Sequence, residues 1–217
     1  SPFDNIHIPP SPGDAGSAIG CAQYAYFIHN KQTRIIENNH AERIRESVYL
    51  GPSFSNDEII KFLDSKNISY EKLTRESLIE KTAKIISDGY VVGWYQDKME
   101  WGPRALGNRS ILADPRNAKM KDILNEKIKH RESFRPFAPS VLEEFASDYF
   151  DIDIPSPYML MVANVKQPEK IPAVTHVDGT ARLQTVSKES NSLYYDLINE
   201  FYKITGIPII INTSMNV

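Results

Sequence analysis

Residues 90–95, Tyr-Val-Val-Gly-Trp-Tyr, form an apolar run too short for a helix, and a long turn signal follows them. That pairing constrains the fold most. A short apolar run bounded by glycine and proline reads as a buried strand. The turn, Met99-Glu-Trp-Gly-Pro-Arg-Ala-Leu-Gly-Asn-Arg109, runs on into Ser110-Ile-Leu-Ala113, which reads as the returning strand. Glycine lets backbone N–H groups approach a ligand closely. Arginine offers a planar fork matched to phosphate or carboxylate. The same composition suits a surface turn with solvated arginines, so the turn alone decides nothing.

The remaining chain alternates helical and extended patterns. Ser55-Asn-Asp-Glu58 is a capping box ahead of Ile59, Ile60, Phe62 and Leu63. Residues 68–73 read as extended. Thr74 caps a second helix carrying Leu78, Ile79, Ala83, Ile85 and Ile86, with Gly89 stopping it. Asp114-Pro115 reads as a helix start, with Met120, Ile123, Leu124 and Ile128 as its apolar stripe. Residues 135–142, 157–165 and 181–186 read as strands. Residues 190–205 read as an amphipathic helix with Leu193, Leu197, Ile198 and Phe201 inward, stopped by Gly206. Ile207-Pro-Ile-Ile-Ile211 is a buried strand, and Asn212-Thr-Ser-Met-Asn-Val217 leaves its C-terminal end. The class is α/β, in which ligands bind beyond such strand ends.

Upstream, a proline-rich entry leads to Gly13-Asp-Ala-Gly-Ser-Ala-Ile-Gly20. Asp14 reads as the cap of a helix over 15–29, crowded with small residues, so close packing is expected against it. Cys21 reads as a packing residue. Residues 31–55 read as a polar linker between two lobes, with one edge strand at 47–50.

Composition excludes several classes. With 217 residues and 41% hydrophobic content, the chain can bury a substantial core. No apolar run approaches a membrane span, so no membrane partner is expected. A net charge of -3 argues against a broad nucleic-acid surface and leaves room for a local anion pocket. One cysteine excludes an internal disulfide and fits a reducing compartment, so the expected location is the cytoplasm. No secretory signal is visible, and a first residue of serine reads as an excised fragment.

Three further features carry candidate chemistry. Lys127, Lys129, Arg131 and Arg135 cluster at the exit of the helix after Asp114. They read either as cations favoured at a helix C-terminus or as a second cationic arm facing the arginine turn. Lys129 and Arg131 are two apart, so an extended segment points both one way. His176-Val-Asp-Gly-Thr-Ala-Arg182 is a polar turn, ordinary in its Asp-Gly centre. Asp14 is either a helix cap or an acidic residue available to a metal. No histidine pair at i, i+4 accompanies it, so no metal site is complete in this sequence.

In combination these motifs resemble a known family. Gly93 through Arg116, Asn125-Glu-Lys-Ile-Lys-His-Arg-Glu-Ser-Phe-Arg-Pro-Phe-Ala-Pro-Ser-Val-Leu142, the 176–186 segment and Asn212-Thr-Ser-Met-Asn216 resemble the C-terminal half of carbamoyltransferases of the nodulation and antibiotic-biosynthesis type. The resemblance implies a YrdC-like domain over 75–217, a twisted open mixed sheet flanked by helices. It implies that 1–30 is the helical remnant of an ATPase-like carbamoyl-transfer domain, with 31–74 as linker and helical connection.

The resemblance also implies an activity: O-carbamoylation in two steps. The YrdC-like domain forms carbamoyl adenylate from ATP and carbamoyl phosphate. The ATPase-like domain then passes the carbamoyl group to a small-molecule hydroxyl acceptor. Arg104, Lys129 and Arg131 are the implied catalytic residues. Arg109, Arg135, His176, Arg182, Ser214 and Asn216 are the implied substrate- and nucleotide-binding residues, with Mg²⁺ accompanying ATP. Glu100 reads as a base or, more simply, as the partner of a neighbouring arginine. Asp14 matches an iron-ligating aspartate of the complete enzyme, whose other ligands would precede Ser1. Full transfer is therefore not expected from this fragment, which also stops at Val217 where the family continues. The rival readings are a threonylcarbamoyl-adenylate synthase of tRNA modification and a non-catalytic nucleotide- or RNA-binding module. The acceptor and the oligomeric state, including a homodimer, stay open.

Overall fold

The computed structural model describes residues 8–34, 44 and 48–216. Six strands form one open mixed sheet: β1 (Val92–Tyr95), β2 (Arg109–Ala113), β3 (Ala138–Leu142), β4 (Met161–Asn164), β5 (Thr180–Val186) and β6 (Ile209–Ser214). Their spatial order is β1-β2-β6-β3-β5-β4. All neighbours are antiparallel except β3 and β5, which run parallel. A parallel pair needs a crossover, and residues 143–179 supply it, including β4 at the sheet edge.

Helices Arg75–Ser87 and Ser192–Thr205 pack on each other and on the sheet. Their inward residues, Ala83, Ile86, Tyr194, Leu197, Ile198 and Phe201, join Leu112, Val141, Leu183 and Ile209–Ile211 in one core. The capping signals act as the sequence indicates. Ser55 and Glu58 form a reciprocal capping box, the Thr74 hydroxyl accepts from the Ser77 N–H at 3.2 Å, and Gly206 takes the left-handed conformation at φ 73°.

Several expectations change. Residues 90–95 give a shorter β1, an edge strand in which only Trp94 is buried. The reason is its place beside β2 alone. No strand occupies residues 48–50, and Ser47 lies outside the described residues. This segment instead exchanges irregular backbone bonds with the arginine turn, Trp101 N–H to Val48 carbonyl (3.0 Å) and Gly51 N–H to Met99 carbonyl (2.9 Å). Residues 68–73 form neither helix nor strand.

Asp114 does not start a helix. Its carboxylate accepts from the Arg116 backbone N–H at 2.8 Å and pairs with the Arg116 guanidinium, tying an Asx-type turn. The helix begins only at Met120–Ile123 and widens into a π-helical turn over Leu124–Lys129. His130 follows with φ 46°, so Lys129 and Arg131 are not on one extended segment. Asp14 is the first residue of helix Asp14–Gln23 rather than its cap, which is Gly13 without a side-chain bond. That helix buries no residue among those described, and Cys21 is exposed.

A candidate anion site at one end of the sheet

Four strand ends meet at one end of the sheet. Register pairs Ser110 at the start of β2 with Ser214 at the end of β6, and Asn212 of β6 with Ala138 at the start of β3. Ser140 pairs with Gln184, so Arg182, two residues earlier on β5, sits alongside Ala138 at the same end. Arg109 begins β2 there as well. The loop before β2 and the turn before β3 bring the remaining cations.

Backbone anchoring fixes the arginine turn. Glu100 is 3% exposed, and its Oε1 accepts from the N–H groups of Leu106 (2.6 Å), Asn108 (2.8 Å) and Arg109 (3.2 Å). That oxygen organises the loop, while Oε2 is buried and has no hydrogen-bond partner among the described residues. The far side of the turn is clasped by buried amides on the sheet. Asn212 donates to the Ala105 carbonyl at 3.0 Å, and Gln184 donates to the Leu106 carbonyl at 3.0 Å. Gly107, at φ 102°, lies so close to the Tyr194 ring that any side chain would collide with it.

Held in this way, Arg104 lies within electrostatic reach of Arg182. Burial first, and then the Arg104 charge, pulls the Arg182 guanidinium below its ordinary range. The Nε atoms of both arginines are buried and have no hydrogen-bond partner among the described residues. A buried Nε donor left without a partner is unfavourable, and an acceptor on a bound anion would satisfy it. His176 adjoins Arg182. Burial lowers the pKa of its imidazole, Asp178 opposes that and Arg182 adds to it, so the ring is neutral near pH 7. Its Nδ1 lies 3.1 Å from the Thr180 hydroxyl.

A second cationic group forms on the β6 side. The Lys129 ammonium donates to the carbonyls of Ser214 and Asn216 and reaches the Asn216 side-chain oxygen at 3.4 Å. The Ser214 hydroxyl in turn bonds Asn216. Burial and the neighbouring Arg131 charge lower the Lys129 pKa. The Arg131 Nε donates to Asn125 Oδ1 at 2.7 Å, and its guanidinium lies 4.8 Å from the centre of the Phe137 ring. Arg135, exposed, is near enough to lower the Arg131 pKa further, after burial.

The structure thus places the sequence candidates in two groups at one sheet end: Arg104, Arg182 and His176, and Lys129, Arg131, Arg135, Ser214 and Asn216. Arg109 lies at the same end by register. Lys129 uses its three donors on the chain's last described residues, whereas Arg104 and Arg182 retain free ones. The residues present fit a phosphate or carboxylate through those Nε donors. Asp14 is exposed, and no group of three His, Cys, Asp or Glu converges among the described residues. Sequence reading missed Asn125, Gln184 and Asn212. Only their position beside cationic or glycine-rich turns could have flagged them. No helix among the described residues is long and apolar enough to cross a membrane.

An open α/β sheet that gathers arginines at one end of its strands defines the architecture of this domain. The chain belongs to the carbamoyltransferase family, since residues 83–217 match the family model for the carbamoyltransferase C-terminus. It is similar to an uncharacterized protein of Synechocystis sp., at 45% identity over 99% of this chain and 38% of that protein. It is 43% identical to nodulation protein NolNO of Sinorhizobium fredii, over 99% of this chain and 31% of that protein. It is 42% identical to nodulation protein NolO of Bradyrhizobium diazoefficiens, over 99% of this chain and 39% of that protein. The chain therefore spans less than two fifths of each of these relatives.

Proposed function

We propose that this domain activates the carbamoyl group as carbamoyl adenylate, for transfer to an acceptor hydroxyl in an O-carbamoylation. The observation that carries the reading is the buried Nε donors of Arg104 and Arg182, without partners among the described residues, on two cations within electrostatic reach of each other. In the first step water attacks carbamoyl phosphate, releasing inorganic phosphate and leaving carbamate. A carbamate oxygen then attacks the α-phosphorus of ATP and displaces pyrophosphate. An acceptor hydroxyl finally attacks the carbamoyl carbon and releases AMP.

Each early intermediate concentrates negative charge, so the pocket must supply donors already in place. One such donor is worth about 3–4 kcal/mol in comparable oxyanion sites. Arg104 and Arg182 bind the carbamoyl-bearing anion. Lys129, Arg131, Arg135 and Arg109 face the nucleotide phosphates, whose mutual repulsion with carbamate must be overcome by positioning. His176, kept neutral, donates or accepts one hydrogen bond without adding charge. Ser214 and Asn216 offer the oxygen ligands that a magnesium ion accompanying ATP prefers. Binding there requires Lys129 to exchange their carbonyls for phosphate.

The test is release of pyrophosphate from ATP by the chain. Dependence on carbamoyl phosphate supports the reading. Dependence on threonine plus bicarbonate would replace it with the synthase reading, and salt-sensitive RNA binding without either activity would replace it with a binding module.

A further inference from the structure

The turn that follows the Lys129–Arg131 pair carries a phenyl ring in water. Phe134 is 71% exposed. A lone exposed phenyl is ordinary on a protein surface. What distinguishes this one is the effort spent on holding it there. Asn125 is completely buried, and its amide nitrogen donates to the carbonyls of Ser133 (3.2 Å) and Arg135 (2.9 Å), on either side of Phe134. The same side chain accepts from Arg131 Nε, and the Arg135 N–H closes the turn on the Glu132 carbonyl at 3.2 Å. A single buried amide therefore fixes both the cation and the turn that displays the ring. Phe137, three residues on, is buried beneath the Arg131 guanidinium, so the two rings are divided between supporting the cation and facing solvent.

We infer that Phe134 is the stacking platform for the purine base of the nucleotide whose phosphates lie on the neighbouring cations. This deepens the reading of the site proposed above and rests on it. A base has an apolar face and needs an aromatic or guanidinium plane held rigidly, because a mobile ring would lose the gain to ordering. Stacking of this kind changes affinity by about 1–3 kcal/mol per base on alanine substitution, or roughly 5- to 150-fold. Exposed Arg135, next in sequence, is free to cover the other face or meet the phosphates.

The experiment is calorimetric titration of the chain with ATP and, separately, with inorganic tripolyphosphate, which has the charge and no base. The expected result is that Phe134→Ala weakens ATP binding at least fivefold, leaves tripolyphosphate binding within twofold, and that Phe134→Tyr keeps wild-type ATP affinity. Wild-type ATP binding that Phe134→Ala leaves unchanged, or an equal loss for both ligands, overturns the stacking role alone. A wild-type chain that binds neither ligand overturns the phosphate site and the stacking role together.

Discussion

The Glu100 carboxylate accepts a 2.8 Å hydrogen bond from the Asn108 backbone N–H, and the same oxygen serves Leu106 and Arg109. A buried acceptor at the centre of the turn thus converts an irregular glycine–proline segment into a rigid support for Arg104. Glu100→Ala leaves three buried N–H groups without an acceptor, each costing about 1–3 kcal/mol. Urea denaturation should show a loss of about 3 kcal/mol or more. Glu100→Gln keeps one carbonyl acceptor and should lose less than half as much.

Gly107 gives a second test of the same turn. Its φ of 102° and the Tyr194 ring beside it exclude a Cβ. Gly107→Ala should destabilise the chain by about 3 kcal/mol, combining backbone strain and overpacking. Thermal melting reads this directly, and an unchanged midpoint would mean the turn is looser than described.

The arginine pair predicts opposite effects on folding and binding. Arg182→Leu removes a half-buried cation whose Nε has no partner among the described residues and which feels the like charge of Arg104. Replacing an uncompensated charge with an apolar residue is often neutral or stabilising. Denaturant midpoints should therefore stay level or rise, while affinity for anions falls at least about tenfold, the worth of one charge-assisted bond.

His176 predicts a pH dependence. Its folded-state pKa lies below the ordinary 6.5, chiefly through burial. The folded chain then binds fewer protons than the unfolded chain in that range, so stability rises with pH up to about 6.5 and is lost as pH falls below it. His176→Gln should flatten that part of a stability profile recorded between pH 5 and 7. An identical slope in the variant would remove His176 as its source.

Much of this fold was legible because local chemistry and tertiary packing agree. The Ser55–Glu58 box, the Thr74 cap, Gly206 and the apolar run at Ile209–Ile211 each have one satisfactory structural solution. Misreadings arose where two solutions compete. Asp114-Pro115 serves a helix start or an Asx turn, and the Arg116 guanidinium decides for the turn. Residues 47–50 read as an edge strand, yet the described part of that segment pairs irregularly with the arginine turn. The site residues could be named individually, but their grouping could not. That Lys129 turns to the chain's end while Arg104 turns to Arg182 depends on a left-handed His130 and on three contacts to Glu100, none visible in spacing. A glutamate among arginines suggests a salt bridge, and spacing gives no sign that Glu100 Oε1 collects three backbone N–H groups.

The central claim is that Arg104 and Arg182 form one seat for a carbamoyl-bearing anion. Calorimetric titration with carbamoyl phosphate at low salt tests it most directly. The account predicts saturable binding of one equivalent by the wild-type chain, with at least tenfold weaker binding by Arg104→Ala and by Arg182→Leu, each variant still folded. Equal affinity in the wild type and both variants would contradict it.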